Sequence, residues 1–338
     1  MTQKRTKYDA FLLVSFGGPE GMSDVMPFLK NVLHGRNIPE QRMLAVAHHY
    51  QLFGGVSPIN EQNRQLIAAL KPVIELSGPK LPIYWGNRNW HPLLTDTVKQ
   101  MANDGIKNAI ALATAAYSSY SGCRQYLENI ENARILAGAN APKIDKIRPF
   151  YNHADFIAVN AQRLLTALEQ VPAQRRQGAE VVFTAHSIPL AMANACRYEA
   201  QLKETAQLVI SQAGVANPWR LVYQSRSGSP GQPWLEPDIN VCIKELAVQN
   251  KLDIVISPIG FVSDHMEILY DLDTEAKQLC DNLGVNYLRA KTAGNDPKFV
   301  SMIQSLVAEQ MTGQDDNICS PESKIDGQFC TINCCPVS

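Results

Sequence analysis

The stretch EVVFTAHSIP, residues 180–189, decides the fold class. Its apolar and β-branched residues run without a break from Val181 to Ala185. A short continuous run of this kind, bounded by turn residues, is typical of a strand that is buried on both faces. His186 follows the run directly, so the strand would fix its backbone at the carboxyl edge of a sheet. Ligands bind beyond that edge in open α/β folds.

Five other runs along the chain have the same character. They are AFLLVSF (10–16), LPIYWG (81–86), AIALATAAY (109–117), WRLVYQS (219–225) and DIVISPIGFV (253–262). Amphipathic stretches such as NRQLIAALKPVIEL and HPLLTDTVKQMANDG separate them. This alternation predicts an α/β fold, with parallel sheets that are covered by helices on both faces.

The chain is too long for one comfortable core, since it has 338 residues, of which 45% are hydrophobic. We predict two similar α/β domains that face each other across a cleft, residues 8–150 and 151–290. The C-terminal helix, about 291–312, is a candidate to pack back on the first domain. A cysteine-rich tail, residues 313–338, follows it.

Charge and composition exclude several classes of function. A net charge of −1 gives no general attraction to nucleic acid. No apolar run is long enough to cross a bilayer. Peripheral membrane contact near residues 22–33 is left open. The oligomeric state is also left open. The first apolar run ends in Gly17-Gly18-Pro19 rather than in a cleavage site, so we predict a cytoplasmic protein. The same turn lacks the G-x-G-x-x-G spacing of nicotinamide and flavin enzymes.

His186 has two interpretations on residue chemistry alone. With an ordinary pKa of about 6.5, it would be mostly neutral at pH 7 and able to accept a proton or offer nitrogen to a metal. It could instead be a strand-end histidine that hydrogen-bonds a carbonyl group. Taken alone, the second situation is the commoner one.

An acidic pattern lies in PIGFVSDHMEILYDLDTEA, residues 258–276. We predict a helix that begins at Ser263 or Asp264, on which Glu267, Asp271 and Glu275 recur every fourth residue and share one face. Like charges so placed repel each other, which makes sense if a divalent cation or protons visit that face. Alternatively, Asp264 and Glu267 form a capping box and the other two acids are solvated. Both interpretations stay open.

Aromatic residues gather near the predicted turns, where flat rings would suit a flat apolar ligand. They are Trp85, Trp90, Tyr117, Tyr120, Tyr126 and Trp234. Such residues also commonly sit at element ends with one edge in water. Ser57 follows two glycines in FGGVSPIN, and its hydroxyl could hold a carboxylate or make a bond within the turn.

Several of these motifs together resemble one family. LLVSFGGPE, GGVSPIN, FTAHSIP, YQSRSGSPGQPWLEPDI and PIGFVSDHMEILYDLDTEA resemble the ferrochelatases in order and spacing, from about residue 8 to 306. YWGNRNWHP, AYSSYSGCRQY and KIRPFYNHADF are most similar to the branch that uses coproporphyrin III rather than protoporphyrin IX. The resemblance implies insertion of ferrous iron, as substrate, into a porphyrin in haem biosynthesis. It also implies a chelatase-like fold of two flavodoxin-like (Rossmann-like) domains, related by a pseudo-twofold, with the porphyrin in the cleft.

The resemblance assigns roles to individual residues. His186 and Glu267 match the family's catalytic histidine and glutamate, on opposite sides of the iron path. Asp271 and Glu275 match acidic positions that are thought to hold hydrated metal.

Other carried-over positions concern the porphyrin. Ser57 and Tyr126 match positions that contact the macrocycle or its propionates. Phe16 stands where some coproporphyrin-using relatives have a tyrosine that can reach the iron, and a phenyl ring cannot act as a ligand.

One histidine and a few carboxylates would hold Fe²⁺ weakly enough to release it to four ring nitrogens. His186 would then accept a pyrrole proton or touch iron from one face, and Glu267 would serve from the other. Two alternatives are a non-catalytic tetrapyrrole or haem carrier, which has no need of the acidic row, and a chelatase for another metal.

Four of the eight cysteines lie in the tail: Cys319, Cys330, Cys334 and Cys335. Their spacings of ten, three and zero intervening residues fit no standard zinc pattern. Similarity to cluster-bearing ferrochelatases implies a 2Fe-2S cluster, although the position of those relatives' internal ligand falls near Val159 here. A zinc knot and a disordered thiol tail are the alternatives. The remaining cysteines, Cys123, Cys196, Cys242 and Cys280, are predicted to be ordinary semi-buried residues.

Overall fold

The computed structural model describes residues 8–35, 40–228 and 231–312. Within them, the strands are β1 (Ala10–Ser15), β2 (Ile83–Asn87), β3 (Asn108–Ala113), β4 (Lys143–Lys146), β5 (Glu180–His186), β6 (Trp219–Gln224), β7 (Asp253–Ser257) and β8 (Asn286–Arg289). The α-helices are α1 (Met22–Val32), α2 (Glu40–Gln51), α3 (Ile59–Leu70), α4 (Leu94–Asn103), α5 (Gln125–Ala137), α6 (Ala154–Leu168), α7 (Leu190–Asn194), α8 (Tyr198–Ala213), α9 (Ile239–Val248), α10 (Lys277–Leu283) and α11 (Pro297–Thr312). None of these helices is both long and apolar enough to span a bilayer.

The chain divides into two compact units. Among the described residues, the first runs to Thr114 and adds Gln125–Ile147 and the part of α11 from Ile303 to its end. The second contains Ala115–Arg124 and Arg148–Met302.

The first unit is built on a four-stranded parallel sheet in the order β2-β1-β3-β4. All six residues of β1 are buried, as expected of a strand that lies inside a parallel sheet. The amide of Phe11 donates to the carbonyl of Pro82, and the following residues pair in parallel register with Ile83 onward.

The second unit repeats this arrangement with the order β6-β5-β7-β8. The strand β5, which ends in His186, is therefore internal to the sheet and buried up to its last residue. Its apolar neighbours include Val222, Ile243, Ile254 and Leu272, which belong to one continuous buried cluster. Val182 of β5 belongs to the same cluster, which anchors the strand in the core of the second unit.

The α/β prediction is confirmed, and all six predicted strands are present. The runs 109–117 and 253–262 were predicted to be longer than the strands they form, which end at Ala113 and Ser257. Pro258 follows Ser257 and cannot donate a backbone hydrogen bond to a neighbouring strand. Two short strands, β4 and β8, were not predicted.

The acidic segment differs from the predicted α-helix. Helical residues begin at Met266, and Ile268–Ala276 form a π-helix. The amide of Lys277 donates to the carbonyl of Leu272, five residues earlier. The predicted start at Ser263 or Asp264 is therefore wrong by two to three residues.

Candidate active site

His186 is placed by its position at the end of β5, where it lies opposite Gln224 of β6. Its Nδ1 contacts the carbonyl oxygen of Ser187. Because a carbonyl oxygen can only accept, Nδ1 carries the hydrogen, and a neutral ring would keep its lone pair on Nε2. The carbonyl bond expected of an ordinary strand-end histidine is thus present, but it occupies only one of the two ring nitrogens.

The other ring nitrogen of His186 meets Glu267. His186 Nε2 lies 3.4 Å from Oε1 of Glu267, and His265 Nε2 lies 3.2 Å from Oε2 of the same carboxylate. A single carboxylate therefore sits between two imidazoles. The side chains of His186 and Glu267 are 30% and 42% exposed, so a small molecule can still reach the pair.

This geometry corrects the expectation that His186 and Glu267 stand on opposite sides of the iron path. Atoms 3.4 Å apart are in contact, which leaves no room for a ring between them. Both side chains belong to the second unit. The two groups are therefore placed to act together from one side.

The pair is held as an ion pair. Burial alone would lower the pKa of His186, but the charge of Glu267 and the hydrogen bond to it outweigh burial and raise the pKa above its ordinary 6.5. Burial would raise the pKa of Glu267, but His186 and His265 together lower it well below its usual range. The prediction that His186 is mostly neutral at pH 7 is therefore wrong, because the facing carboxylate stabilises the imidazolium.

The rest of the acidic row continues away from this pair. Burial raises the pKa of Asp271 to about 7, the hydrogen bond donated by the Ser225 hydroxyl opposes this shift, and the charges of Glu267 and Glu275 add to it. Glu275 is largely exposed, and its remaining burial raises the pKa of its carboxyl group. The row thus leads from a paired carboxylate through a group that titrates near neutrality to a carboxyl group in solvent.

The capping-box interpretation is wrong. Asp264 accepts hydrogen bonds from Arg289 at 3.3 Å and from Thr292 at 3.0 Å, and both of its carboxylate oxygens face the guanidinium. Glu267 turns toward the two imidazoles and makes no side-chain capping bond. Arg289 also holds Asp273 in a bidentate pair at 2.6 and 2.8 Å, so it ties the π-helix to the end of β8.

Three residues at the site were not singled out from the sequence. They are His265, Gln224 and Ser225. His265 stands two residues before Glu267, and this short spacing was the available signal. Gln224 donates through Nε2 to the main-chain carbonyl of Glu267 at 3.0 Å, a tertiary contact that no local pattern indicates.

The positions expected to contact porphyrin, Ser57 and Tyr126, lie in the first unit and are buried. The amide of Ser57 donates to the carbonyl of Pro19 at 2.9 Å, and its side chain packs on Gly18, where only a glycine leaves room. The ring of Tyr126 lies 4.6 Å from the guanidinium carbon of Arg88. Contact of either residue with porphyrin stays a prediction.

Two other aromatic residues are engaged inside the units. The ring of Phe16 packs against Phe28 and lies 5.7 Å from the Arg88 guanidinium. Tyr117 is buried, and its hydroxyl donates to the carbonyl of Ile259 at 2.9 Å. Tyr117 therefore serves the interior of the second unit, in contrast to the expectation of a ligand-lining ring.

Within residues 8–35, 40–228 and 231–312, no set of three or more His, Cys, Asp or Glu side chains is arranged to hold a metal ion. The cysteines of the proposed cluster, Cys319, Cys330, Cys334 and Cys335, lie outside the described residues. The cysteines within the described ranges are thiols, three of them buried and Cys196 partly exposed. Val159 is buried in α6.

Solved structures with the same fold define the class. The sirohydrochlorin chelatase SirB from Bacillus subtilis subspecies spizizenii, in complex with cobalt, matches with a TM-score of 0.52 and 12% identity over 90% of this chain and 95% of that chain. SirB from Bacillus subtilis with Fe3+ matches with a TM-score of 0.53 and 13% identity over 92% and 99%. The fold is therefore that of the chelatases.

Sequence comparison narrows the class further. The ferrochelatase family model matches residues 8–311. A ferrochelatase of Rhodopirellula baltica is 53% identical over 97% of this chain and 93% of its own. Coproporphyrin III ferrochelatases of Streptomyces griseus and Nocardia farcinica are 46% and 45% identical over 97% of this chain and 93% and 96% of theirs. The chain belongs to the ferrochelatase family, which confirms the resemblance seen in its motifs.

Proposed function

We propose that this protein inserts ferrous iron into coproporphyrin III as a step of haem biosynthesis. Membership of the ferrochelatase family supports the reaction, and the similar proteins named coproporphyrin III ferrochelatase support the substrate. The observation that carries the mechanism is the carboxylate of Glu267 held between His186 and His265 at the start of an acidic row.

The reaction requires that two pyrrole protons leave the macrocycle while Fe²⁺ exchanges its water ligands for four ring nitrogens. The products are the iron porphyrin and two protons. A site for this chemistry must therefore receive a divalent cation loosely and carry protons away. One imidazole and a few carboxylates match the first need, because they bind Fe²⁺ less firmly than a full protein ligand set would.

The His186–Glu267 pair couples the arrival of Fe²⁺ to the removal of pyrrole protons. In the resting state the carboxylate keeps a proton on His186 Nε2. When Fe²⁺ approaches Glu267, its charge offsets that of the carboxylate and lowers the pKa of His186. The Nε2 proton then leaves, and the freed lone pair can accept a pyrrole proton.

Asp271 and Glu275 would connect the His186–Glu267 pair to solvent, the first for protons and the second for protons and iron. A carboxyl group with a pKa of about 7 can accept and release a proton at neutral pH, so Asp271 suits a relay between the pair and solvent. Glu275, at the exposed end of the row, would exchange protons with water and receive hydrated Fe²⁺. His265 donates to Glu267 and orients its carboxylate toward His186.

A non-catalytic tetrapyrrole carrier and a chelatase for another metal are less well supported. A carrier has no need to move protons, whereas Asp271 titrates near neutral pH beside an ion pair. The relatives that match over nearly the whole chain are ferrochelatases, whereas the cobalt-bound chelatase shares only the fold.

The substrate is tested by supplying Fe²⁺ anaerobically with coproporphyrin III and protoporphyrin IX in parallel. We expect the Soret and visible bands of the iron porphyrin to appear faster with coproporphyrin III. Faster conversion of protoporphyrin IX would contradict the proposed branch. Conversion of neither, by protein that binds porphyrin, would contradict the enzyme itself.

We also propose that Cys319, Cys330, Cys334 and Cys335 together ligate a 2Fe-2S cluster. A valine at position 159 supports this set, because it offers no thiolate and the tail must then supply all four ligands. Such a cluster would add a redox-active centre, and no step of iron insertion is assigned to it. The proposal has three further parts. Ser57 and Tyr126 contact the porphyrin, the two domains span residues 8–150 and 151–290, and the protein is cytoplasmic.

Protein purified without oxygen is expected to be coloured, with absorption bands between about 400 and 600 nm and about two irons and two sulfides per chain, as the cluster type requires. Cys334→Ser is expected to lose the colour, and Cys196→Ser, a partly exposed cysteine of the second unit, is expected to keep it. A colourless, iron-free protein would contradict the cluster.

A further inference from the structure

The peptide group that joins His186 to Ser187 is hydrogen-bonded at both ends. Its amide, on Ser187, donates to the carbonyl of Gln224 at 2.8 Å, which continues the pairing of β5 with β6. Its carbonyl, on His186, accepts a hydrogen bond from the Tyr198 hydroxyl at 3.1 Å. Because a peptide group is planar, these two bonds together fix its orientation.

The carbonyl of His186 needs a donor because the neighbouring strand has already ended. Strand β7 pairs with β5 only as far as Phe183, and the amide of Gly260 then donates to the carbonyl of Thr184 at 3.0 Å. Every second residue of a strand bonds to the same neighbour, so the carbonyl of His186 points to this side but lies beyond the pairing. Tyr198, the first residue of α8, supplies the donor that a longer β7 would have supplied.

The side chain of Tyr198 is a fixed and lasting donor. It is 6% exposed, and its ring packs edge-to-face on Tyr117 with the centroids 6.0 Å apart. Burial raises the pKa of Tyr198 well above its ordinary value of about 10, so the hydroxyl keeps its hydrogen at neutral pH. The bond to the His186 carbonyl is therefore available whenever the protein is at work.

The orientation of this peptide group bears on the imidazole of His186. The next carbonyl along the chain, on Ser187, is the one that accepts from His186 Nδ1. The Ser187 hydroxyl donates to the carbonyl of Leu235 at 2.8 Å, which holds the same residue from a second side. A rotation of the peptide group would move the Ser187 carbonyl, and with it the ring whose Nε2 faces Glu267.

We propose that Tyr198 is a positioning residue that acts through the His186–Ser187 peptide group and holds the imidazole of His186 in the orientation needed for proton transfer. The proposal rests on the function proposed above, in which His186 accepts a pyrrole proton. It differs from a purely structural role, in which the hydroxyl would only stabilise the end of β5.

The test uses Tyr198→Phe, which removes the hydroxyl and keeps the ring that packs on Tyr117. This variant is expected to lower kcat about tenfold, the scale of one lost hydrogen bond, with unchanged KM for Fe²⁺ and coproporphyrin III. Tyr223→Phe is the matched control and is expected to keep the wild-type kcat. Tyr223 lies in β6 and is 2% exposed, and its hydroxyl hydrogen-bonds no group in the described part of the chain. Wild-type affinity for coproporphyrin III in a fluorescence titration is expected of both variants and shows that they are folded.

A double-mutant cycle with His186→Ala separates the possible outcomes. If Tyr198 acts through His186, Tyr198→Phe causes little further loss of kcat in the His186→Ala background. A fully additive loss, or a wild-type kcat in Tyr198→Phe, would overturn the role of Tyr198 and leave the proposed function intact. An equal loss in Tyr223→Phe would show a general disturbance of packing and also overturn it. Wild-type turnover of His186→Ala would remove His186 from the proposed mechanism, and the role of Tyr198 with it.

Discussion

Replacing His186 with alanine is expected to lower kcat for iron insertion by about 10²- to 10⁴-fold, the usual contribution of a positioned acid or base. The substitution removes the imidazole whose Nε2 contacts Oε1 of Glu267 and can give up or accept a proton there. Glu267 would keep its second imidazole partner, His265, and the buried strand β5 would keep its packing. The loss should therefore appear in the chemical step rather than in folding.

The measurement pairs anaerobic single-turnover kinetics with a fluorescence titration of coproporphyrin III. We expect porphyrin affinity within about threefold of the wild type, because removal of a group that acts on the bound ring mainly lowers kcat. His48→Ala, which removes an exposed imidazole from α2, is the control and is expected to insert iron normally. Turnover of His186→Ala at the wild-type rate would exclude the histidine from the mechanism.

The sequence predicted the buried part of each sheet. Strands such as β5 and β7 are internal, so both their faces pack on apolar side chains and their sequences are continuously apolar. This is the pattern that single-sequence reasoning detects most directly. The strands that were missed, β4 and β8, have the sequences KIDK and NYLR.

These two strands lie at the edges of their sheets, β4 beside β3 and β8 beside β7. Edge strands are partly exposed and commonly carry charged residues. The sequences KIDK and NYLR therefore lack an apolar run, whereas the other two edge strands, β2 and β6, retain enough apolar residues to be predicted. They form because the neighbouring strand supplies hydrogen-bond partners, as when the amide of Lys143 donates to the carbonyl of Lys107. Such partners are distant in sequence, and no local pattern indicates them.

The candidate site was predictable as a set of residues but not as a geometry. The position of His186 after an apolar strand and the four-residue spacing of Glu267, Asp271 and Glu275 were both legible in the sequence. Their arrangement depends on tertiary contacts. Asp264 pairs with Arg289, and Glu267 pairs with His186, and neither contact is visible in the local sequence.

The contact between His186 and Glu267 also changes the charge predicted for His186, from a neutral imidazole to an imidazolium. The ordinary pKa of a histidine describes a side chain in water, and the sequence does not show that a carboxylate lies 3.4 Å away. A resting imidazolium implies that the site is loaded with a proton before substrate arrives. The role of Glu267 in holding that proton can be tested directly.

Glu267→Gln is expected to lower the pKa of His186 to its ordinary value of about 6.5 or below. Glutamine has nearly the same shape as glutamate but no charge, so burial, which lowers the pKa of His186, is then opposed only by the smaller effects of the Ser187 carbonyl and the charge of Asp271. Two-dimensional NMR of the imidazole carbon-bound protons measures this value across the pH range. The signal is assigned by its absence in His186→Ala, and Glu275→Gln, at the exposed end of the row, is expected to leave it nearly unchanged.

The same substitution is expected to lower kcat about 10²- to 10⁴-fold, because it removes the carboxylate that both receives Fe²⁺ and controls the proton on His186. It should also change the pH dependence of stability. The raised pKa of His186 contributes to the free energy of unfolding fully below about pH 6.5, and this contribution is lost as the pH rises through the folded value. The lowered pKa of Glu267 contributes fully above about pH 4.5 and is lost as the pH falls.

The difference in free energy of unfolding between the wild type and Glu267→Gln should therefore be largest between about pH 4.5 and 6.5 and shrink on either side. Urea denaturation at a series of pH values measures this difference. A difference that stays constant with pH would mean that glutamine disturbs packing rather than charge. A pKa of His186 that stays raised in the variant would mean that another group holds the proton, and Glu267 would then be a metal ligand only.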